Sequence, residues 1–178
     1  MVKKICVFCG SSRPKNNNEI VEQVKSLGEL LLNKNINLVY GGAKIGLMGI
    51  IANTILNKGG YVTGIIPKIL SKKEIINKEV SELIIVKNMH DRKKKMYEIS
   101  DAFIALPGGI GTLEELAEVI TWKVLGIDNK PIFLLNLNGY YDHLIQQFKV
   151  MEENNFLYSN IFNEVSIIKN VSELKHLI

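Results

Sequence analysis

The stretch PGGIGTLEE (107–115) holds residue types that phosphate chemistry needs. Gly108, Gly109 and Gly111 fall within four positions, between a β-rich run and a helical one. Successive backbone N–H groups there can converge on an anion at a helix N-terminus. Thr112 adds a hydroxyl and Glu115 a carboxylate, and Glu118 lies one turn on and can share the same face. The same spacing also has a structural meaning. Thr112-x-x-Glu115 is the pattern of a capping box, with Thr112 as N-cap and Glu115 reaching back to it. On spacing alone Glu115 is as well explained by a cap as by catalysis. Upstream, MHDRKKK (89–95) offers Asp91 as the N-cap of a helix whose next four residues, Arg92 to Lys95, are all cationic. The helix dipole disfavours positive charge in that turn, and an anionic ligand would relieve the conflict. His90 has no evident metal partner, and metal catalysis is not expected.

Two further loops share this strand-to-helix setting. GGAKIGLMG (41–49) is glycine-rich but lacks the Gly-Lys-Ser/Thr of a P-loop. It also lacks G-x-G-x-x-G, and no acidic residue closes the following strand to hold a dinucleotide ribose. CGSSRPKNNN (9–18) contains Arg13, which with Arg92 makes two arginines against 20 lysines. A chain that uses lysine nearly everywhere keeps arginine where a planar fork of donors is needed. Cys6 and Cys9 form a C-x-x-C pair inside an apolar run. In a strand, positions three apart point to opposite faces, so buried, reduced, structural thiols are expected rather than a redox or zinc pair.

These loops need a scaffold, and the pattern supplies one. Short apolar runs at 3–9, 37–40, 61–66, 82–86, 102–106, 131–137 and 165–168 read as strands. Helical stretches separate most of them, at about Glu19–Asn33, 47–58, Asp91–Ser100 and Thr112–Leu125, and over YYDHLIQQFKVMEEN. Strands that are apolar throughout imply a parallel sheet covered on both faces. The expectation is an α/β fold, a Rossmann-like doubly wound parallel sheet flanked by helices on both faces, formed by one domain over residues 1–178. Ligands in such sheets bind at the carboxyl ends of the strands, where the four loops above lie.

Composition bounds the function. The 178 residues are 47% hydrophobic and 22% charged, as in ordinary globular protein. The net charge of +4 is too small an excess to argue for nucleic acid. No apolar run is long enough to span a membrane. Ile5 to Cys9 is shorter than the apolar region of a secretory signal, so a cytoplasmic protein is expected.

PGGIGTLEE, MHDRKK, GGAKIGLMG and CGSS, in these positions and this order, resemble the LOG (Lonely guy) family. SDAFIALPGG, EVITW, LGIDNKP and LLNLNGYYDHL extend the resemblance over nearly the whole chain. Members of that family are cytokinin riboside 5′-monophosphate phosphoribohydrolases, often mislabelled lysine decarboxylases. The resemblance implies hydrolysis of the N-glycosidic bond of a nucleoside 5′-monophosphate, AMP or an N6-substituted AMP, by a homodimer without metal or organic cofactor. It makes Arg92 and Glu115 the catalytic pair. It puts Glu74, Lys93, Gly108, Gly109, Gly111, Thr112 and Thr121 against the nucleotide. Departures are Ala43 in place of a third glycine, Asn77 for a frequent His, Lys123 and Val124 for Ala and Gln, and Asp128 for His. They bear on base preference more than on the chemistry. The competing reading is a non-catalytic nucleotide carrier or sensor on the same fold. The apolar Leu116, Val119, Ile120 and Trp122 are expected to supply a dimer surface.

Overall fold

A computed structural model describes residues 2–71, 75–157 and 159–178. Along the chain run β1 (Lys4–Phe8), α1 (Asn18–Asn33), β2 (Asn37–Tyr40), α2 (Gly46–Leu56) and β3 (Val62–Pro67). Then come α3 (Lys68–Ser71), β4 (Glu82–Val86), α4 (Met89–Glu98), β5 (Ala102–Ala105) and α5 (Ile110–Val124). The chain closes with β6 (Ile132–Leu135), a 3₁₀ turn (Leu137–Gly139), α6 (Asp142–Glu153), α7 (Ile161–Glu164), β7 (Ser166–Ile168) and α8 (Val171–Leu174). All seven strands pair in parallel, in the order β4-β3-β2-β1-β5-β6-β7. The expected doubly wound sheet is therefore present.

Burial explains why the strands read as continuous apolar runs. Ile5, Val7 and Cys9 pack with α1, α2 and α8 on one face. Cys6 and Phe8 pack with Met96 of α4 and Leu116, Val119 and Ile120 of α5 on the other. Each central strand thus needs apolar side chains in both directions. The two cysteines lie on opposite faces, buried and unpaired, as their spacing implies. Burial pushes both thiols up, well beyond the range of reactive cysteines.

The winding reverses between β1 and β5, and a crevice opens there at the carboxyl ends. The Gly10 amide donates to Pro107 O at 3.1 Å, and the Leu47 amide donates to Gly10 O at 3.0 Å. These bonds tie the loops after β1, β2 and β5 together. Among the described residues no helix is long and apolar enough to cross a membrane.

Several expectations are corrected. The helix of PGGIGTLEE begins at Ile110 with Gly109 as its N-cap, so Thr112 is its third residue and Glu115 lies in the second turn. The capping box does not form. The preceding helix begins at Met89. Asn88 is its N-cap and accepts from the Asp91 amide, which puts Asp91 in the first turn and starts the cationic run one turn later. The dipole conflict inferred from Asp91 as N-cap disappears. Leu116, Val119 and Ile120 are buried within the chain's own core and offer no surplus surface. The four-residue helices α3, α7 and α8 were not foreseen, being too short for helical periodicity to show.

Candidate active site

The crevice holds a cleft of about 380 Å³. Cys9, Gly10 and Ser11 after β1 line it, with Gly41 and Ala43 after β2 and Ile66 at the end of β3. Met89, Arg92 and Met96 of α4 close one wall, and Gly109 to Thr112, Glu114 and Glu115 close another. The sheet topology thus brings together Arg92 and Glu115, the two residues singled out in separate motifs. Arg92 Nη1 stands 3.6 Å from Glu115 Oε1, and both side chains are only 11% exposed.

Arg92 is held by backbone as well as by charge. Its Nε donates to Ile65 O at 3.0 Å and its Nη2 to Gly41 O at 3.3 Å. The guanidinium is anchored to the ends of two neighbouring strands, with Nη1 left toward Glu115. A planar fork can make these contacts together, whereas a lysine ammonium cannot. This geometry also explains Gly41, where an added Cβ would overlap Arg92 Nη2 and press on Met48 Sδ. Gly41→Ala is expected to displace Arg92, lowering kcat/KM about tenfold and stability by ~1–2 kcal/mol. Steady-state kinetics beside a thermal melt check this, and an unchanged kcat/KM would contradict the anchoring of Arg92. Arg92→Lys should be impaired in the same assay.

Glu115 sits in an acidic run whose charge is partly neutralised. Burial pushes its carboxyl up to about 7, against the lowering pull of Arg92. Glu114 and Glu118 push the same way as burial, and Lys93 opposes them. Lys93 does not line the cleft. Its ammonium pairs with Glu114 at 2.8 Å and Glu118 at 3.3 Å, cross-linking α4 to α5 on either side of Glu115. Both carboxylates hold its proton more firmly.

The start of α5 forms a wall of the cleft suited to an anion. Its N-cap is a glycine with no side chain to cap the first-turn amides. A helix leaves its first N–H groups without internal partners. Here Ile110, Gly111 and Thr112 belong to that turn and line the cleft. Thr112 is buried and its hydroxyl lies against Gly108, where any Cβ would collide with it. Gly108 itself faces an adjoining cleft of about 310 Å³, shared with Arg13 and Tyr140. Thr121 is not part of the first cleft. It lies nine residues beyond Thr112, about 13 Å along the helix, exposed, with its hydroxyl donating to Ala117 O. Glu74 lies outside the described residues. Of the departures from the family pattern, Ala43 lines the cleft, whereas Asn77 is buried, its backbone N–H donating to Gly42 O at 2.9 Å.

Sequence reasoning missed the apolar part of the cleft lining, Met48, Ile66, Leu70, Ile75, Met89 and Met96. These are spread over several elements, so no local spacing announces them. Among the described residues no three His, Cys, Asp or Glu side chains gather as a metal-binding group.

Residues 48–178 match the family model described as "Possible lysine decarboxylase". Over 155 residues the chain is 51% identical to the Arabidopsis thaliana cytokinin riboside 5′-monophosphate phosphoribohydrolase LOG1, covering 87% of this chain and 72% of that one. The A. thaliana enzyme LOG2 is 44% identical over 176 residues, 99% of this chain and 82% of its own. A probable enzyme of the same name, LOG4 of Oryza sativa subsp. japonica, is 43% identical over 97% of this chain and 75% of its own. Among solved structures, a molybdenum cofactor binding protein of Rippkaea orientalis superposes with a TM-score of 0.73 at 23% identity, covering 99% of this chain and 95% of that one. The molybdenum cofactor carrier protein of Chlamydomonas reinhardtii superposes at 0.69 and 18%, covering 99% and 96%. At such identities these structures share the fold, which by itself says nothing of the ligand.

Proposed function

Because the chain belongs to the LOG family of cytokinin riboside 5′-monophosphate phosphoribohydrolases, we propose that it hydrolyses the N-glycosidic bond of nucleoside 5′-monophosphates carrying adenine or an N6-substituted adenine. Water adds at C1′ of the ribose as the bond to the base breaks. The bonding electron pair leaves with the base nitrogen, which takes up a proton, and the products are free base and ribose 5-phosphate. The observation behind this reading is the meeting of Arg92 and Glu115 at 3.6 Å in a cleft whose facing wall is the uncapped start of α5.

Cleavage passes through an oxocarbenium-like sugar, and a nearby carboxylate stabilises that cation. Glu115 in its ionised form does this and orients the attacking water. Arg92 balances charge at the phosphate or the departing base through its remaining donors. The amides of Ile110 to Thr112 take the 5′-phosphate, so binding energy remote from the bond orients the reacting centre. The methionine and isoleucine side chains lining the cleft suit the flat face of a purine and an apolar N6 substituent.

Lysine decarboxylation finds no support in these residues. An imine-forming lysine needs a lowered pKa, and Lys93, the lysine next to the catalytic pair, is held charged by two carboxylates. Base release across AMP, other monophosphates, isopentenyl-AMP and adenosine tests the proposal. Cleavage confined to adenine-type monophosphates is expected. Binding of AMP without release of adenine would instead favour a carrier or sensor.

The working unit is a homodimer. Ile110, Leu113 and Leu125 lie exposed along the outer side of α5 with Ile127 beyond it, and Thr121 lies on the same side. Together they form a mostly apolar strip on the outer side of α5, suited to an isologous contact. Light scattering at micromolar concentration should give twice the 20.0-kDa chain mass, and a species of 20.0 kDa alone would refute it.

A further inference from the structure

The turn that carries the proposed phosphate wall is gripped by two consecutive tyrosines. Tyr141 Oη donates to Leu106 O at 2.6 Å, and Tyr140 Oη donates to Gly108 O at 2.6 Å. Between them, Pro107 O accepts from the Gly10 amide at 3.1 Å. Three successive carbonyls leaving β5 are thus each held by a donor. The tyrosines are fixed in their turn. Their rings meet edge to face at 4.9 Å between centroids. The Tyr141 amide donates to Asn136 Oδ1 at 2.7 Å, and Asn136 Nδ2 donates to Asp142 Oδ1 at 2.7 Å. Tyr141 is buried and its hydroxyl is pushed up from its ordinary value by burial, so it stays a donor. Tyr140 is 49% exposed, so its hydroxyl bond is not a by-product of deep packing.

We infer that Tyr140 and Tyr141 are positioning residues for the phosphate, fixing the Leu106–Gly108 carbonyls so that the first amides of α5 face the cleft. This rests on the function proposed above and adds a specificity device to it. A backbone loop binds an oxyanion well only if its N–H groups are already aimed, because reorganisation at the moment of binding subtracts from affinity. Gly108 and Gly109 supply no side chain to stiffen the turn, so the two phenols do so from the β6–α6 connection. Neither tyrosine lines the catalytic cleft, so neither touches the reacting atoms.

Tyr140→Phe and Tyr141→Phe remove single hydroxyls and keep the rings. Tyr140→Phe is expected to raise KM for AMP about tenfold with kcat changed much less, in keeping with the loss of one aimed hydrogen bond behind a charged ligand. Calorimetry should show ribose 5-phosphate binding weakened by the same factor, while kcat/KM for adenosine, which has no phosphate, stays at the wild-type value. A merely structural role would lower melting temperature and reduce AMP and adenosine cleavage together, and that result overturns the inference. Unchanged AMP kinetics and unchanged ribose 5-phosphate binding in a folded Tyr140→Phe protein overturn it as well, while leaving the hydrolase reading intact. Should Tyr141→Phe fail to fold, the half-exposed Tyr140 still decides the matter. A wild-type chain that releases no base from any monophosphate would overturn the hydrolase reading, and the role of the tyrosines with it.

Discussion

Glu115→Gln is expected to lower kcat for base release from AMP by ~10²-fold or more, the scale of removing one electrostatic stabiliser from a buried site. The substitution keeps shape and hydrogen-bonding capacity and removes only the charge. Glu115 lies in the second turn of α5, so no helix cap is lost and a capping role cannot explain a drop in activity. Arg92 keeps its bonds to Ile65 O and Gly41 O in the variant, so the guanidinium is not left without partners. The pH dependence makes a second readout. The carboxyl titrates at about 7 in the folded chain against an ordinary value of 4.5. The folded state therefore binds this proton more tightly than the unfolded one. Its contribution to stability is complete below about 4.5 and is lost as pH rises toward 7, by about 3 kcal/mol at most. Gln cannot titrate, so the variant should gain thermal stability relative to wild type between pH 5 and pH 8. In wild type, kcat/KM should rise as pH passes through about 7 and the carboxylate forms. The charged groups that set this midpoint are Arg92 and Lys93 from α4 and Glu114 and Glu118 from α5. Near-wild-type turnover by folded Glu115→Gln would leave the site without its proposed carboxylate.

What was legible in the sequence, and what was not, follows from the range of the interactions involved. Strands buried on both faces had to be apolar at every position, so most strands and the parallel sheet could be read directly. The sheet then dictated which loops gather, while the pairing of Arg92 with Glu115, 23 residues apart, came from the family resemblance of their two motifs. Helix starts were misplaced for a local reason. Gly109 as N-cap has no side chain to announce itself, and Thr112 with Glu115 three residues later imitates a cap. Asn88 and Asp91 are both good N-cap residues, and only geometry shows that Asn88 accepts from the Asp91 amide. The family resemblance put Lys93 against the nucleotide, and its ion-pair partners Glu114 and Glu118 lie on another helix, beyond the reach of local spacing. The apolar lining of the cleft, with Met48, Ile66 and Met96 contributed by α2, β3 and α4, has no signature shorter than the whole fold.

Free adenosine is expected to be cleaved at least ~100-fold less efficiently than AMP, although the bond broken is the same. The reason lies at the far end of the substrate from that bond. The uncapped amides of Ile110, Gly111 and Thr112 and the buried Thr112 hydroxyl form a wall suited to an anion. The helix dipole adds a partial positive charge there, and Arg92 lies across the same cleft. A dianionic phosphate satisfies these donors together, whereas adenosine buries them without a charged partner. Charge-assisted hydrogen bonds contribute roughly 1.5–3 kcal/mol each, so the loss of even two outweighs the ~2.7 kcal/mol that a 100-fold difference represents. Part of that binding energy holds C1′ against Glu115, so kcat should fall along with affinity. Ribose 5-phosphate should compete with AMP where ribose does not, which separates recognition of the phosphate from recognition of the sugar. Comparable kcat/KM for AMP and adenosine, with no inhibition by ribose 5-phosphate, would show that the start of α5 is only a tight strand-to-helix turn.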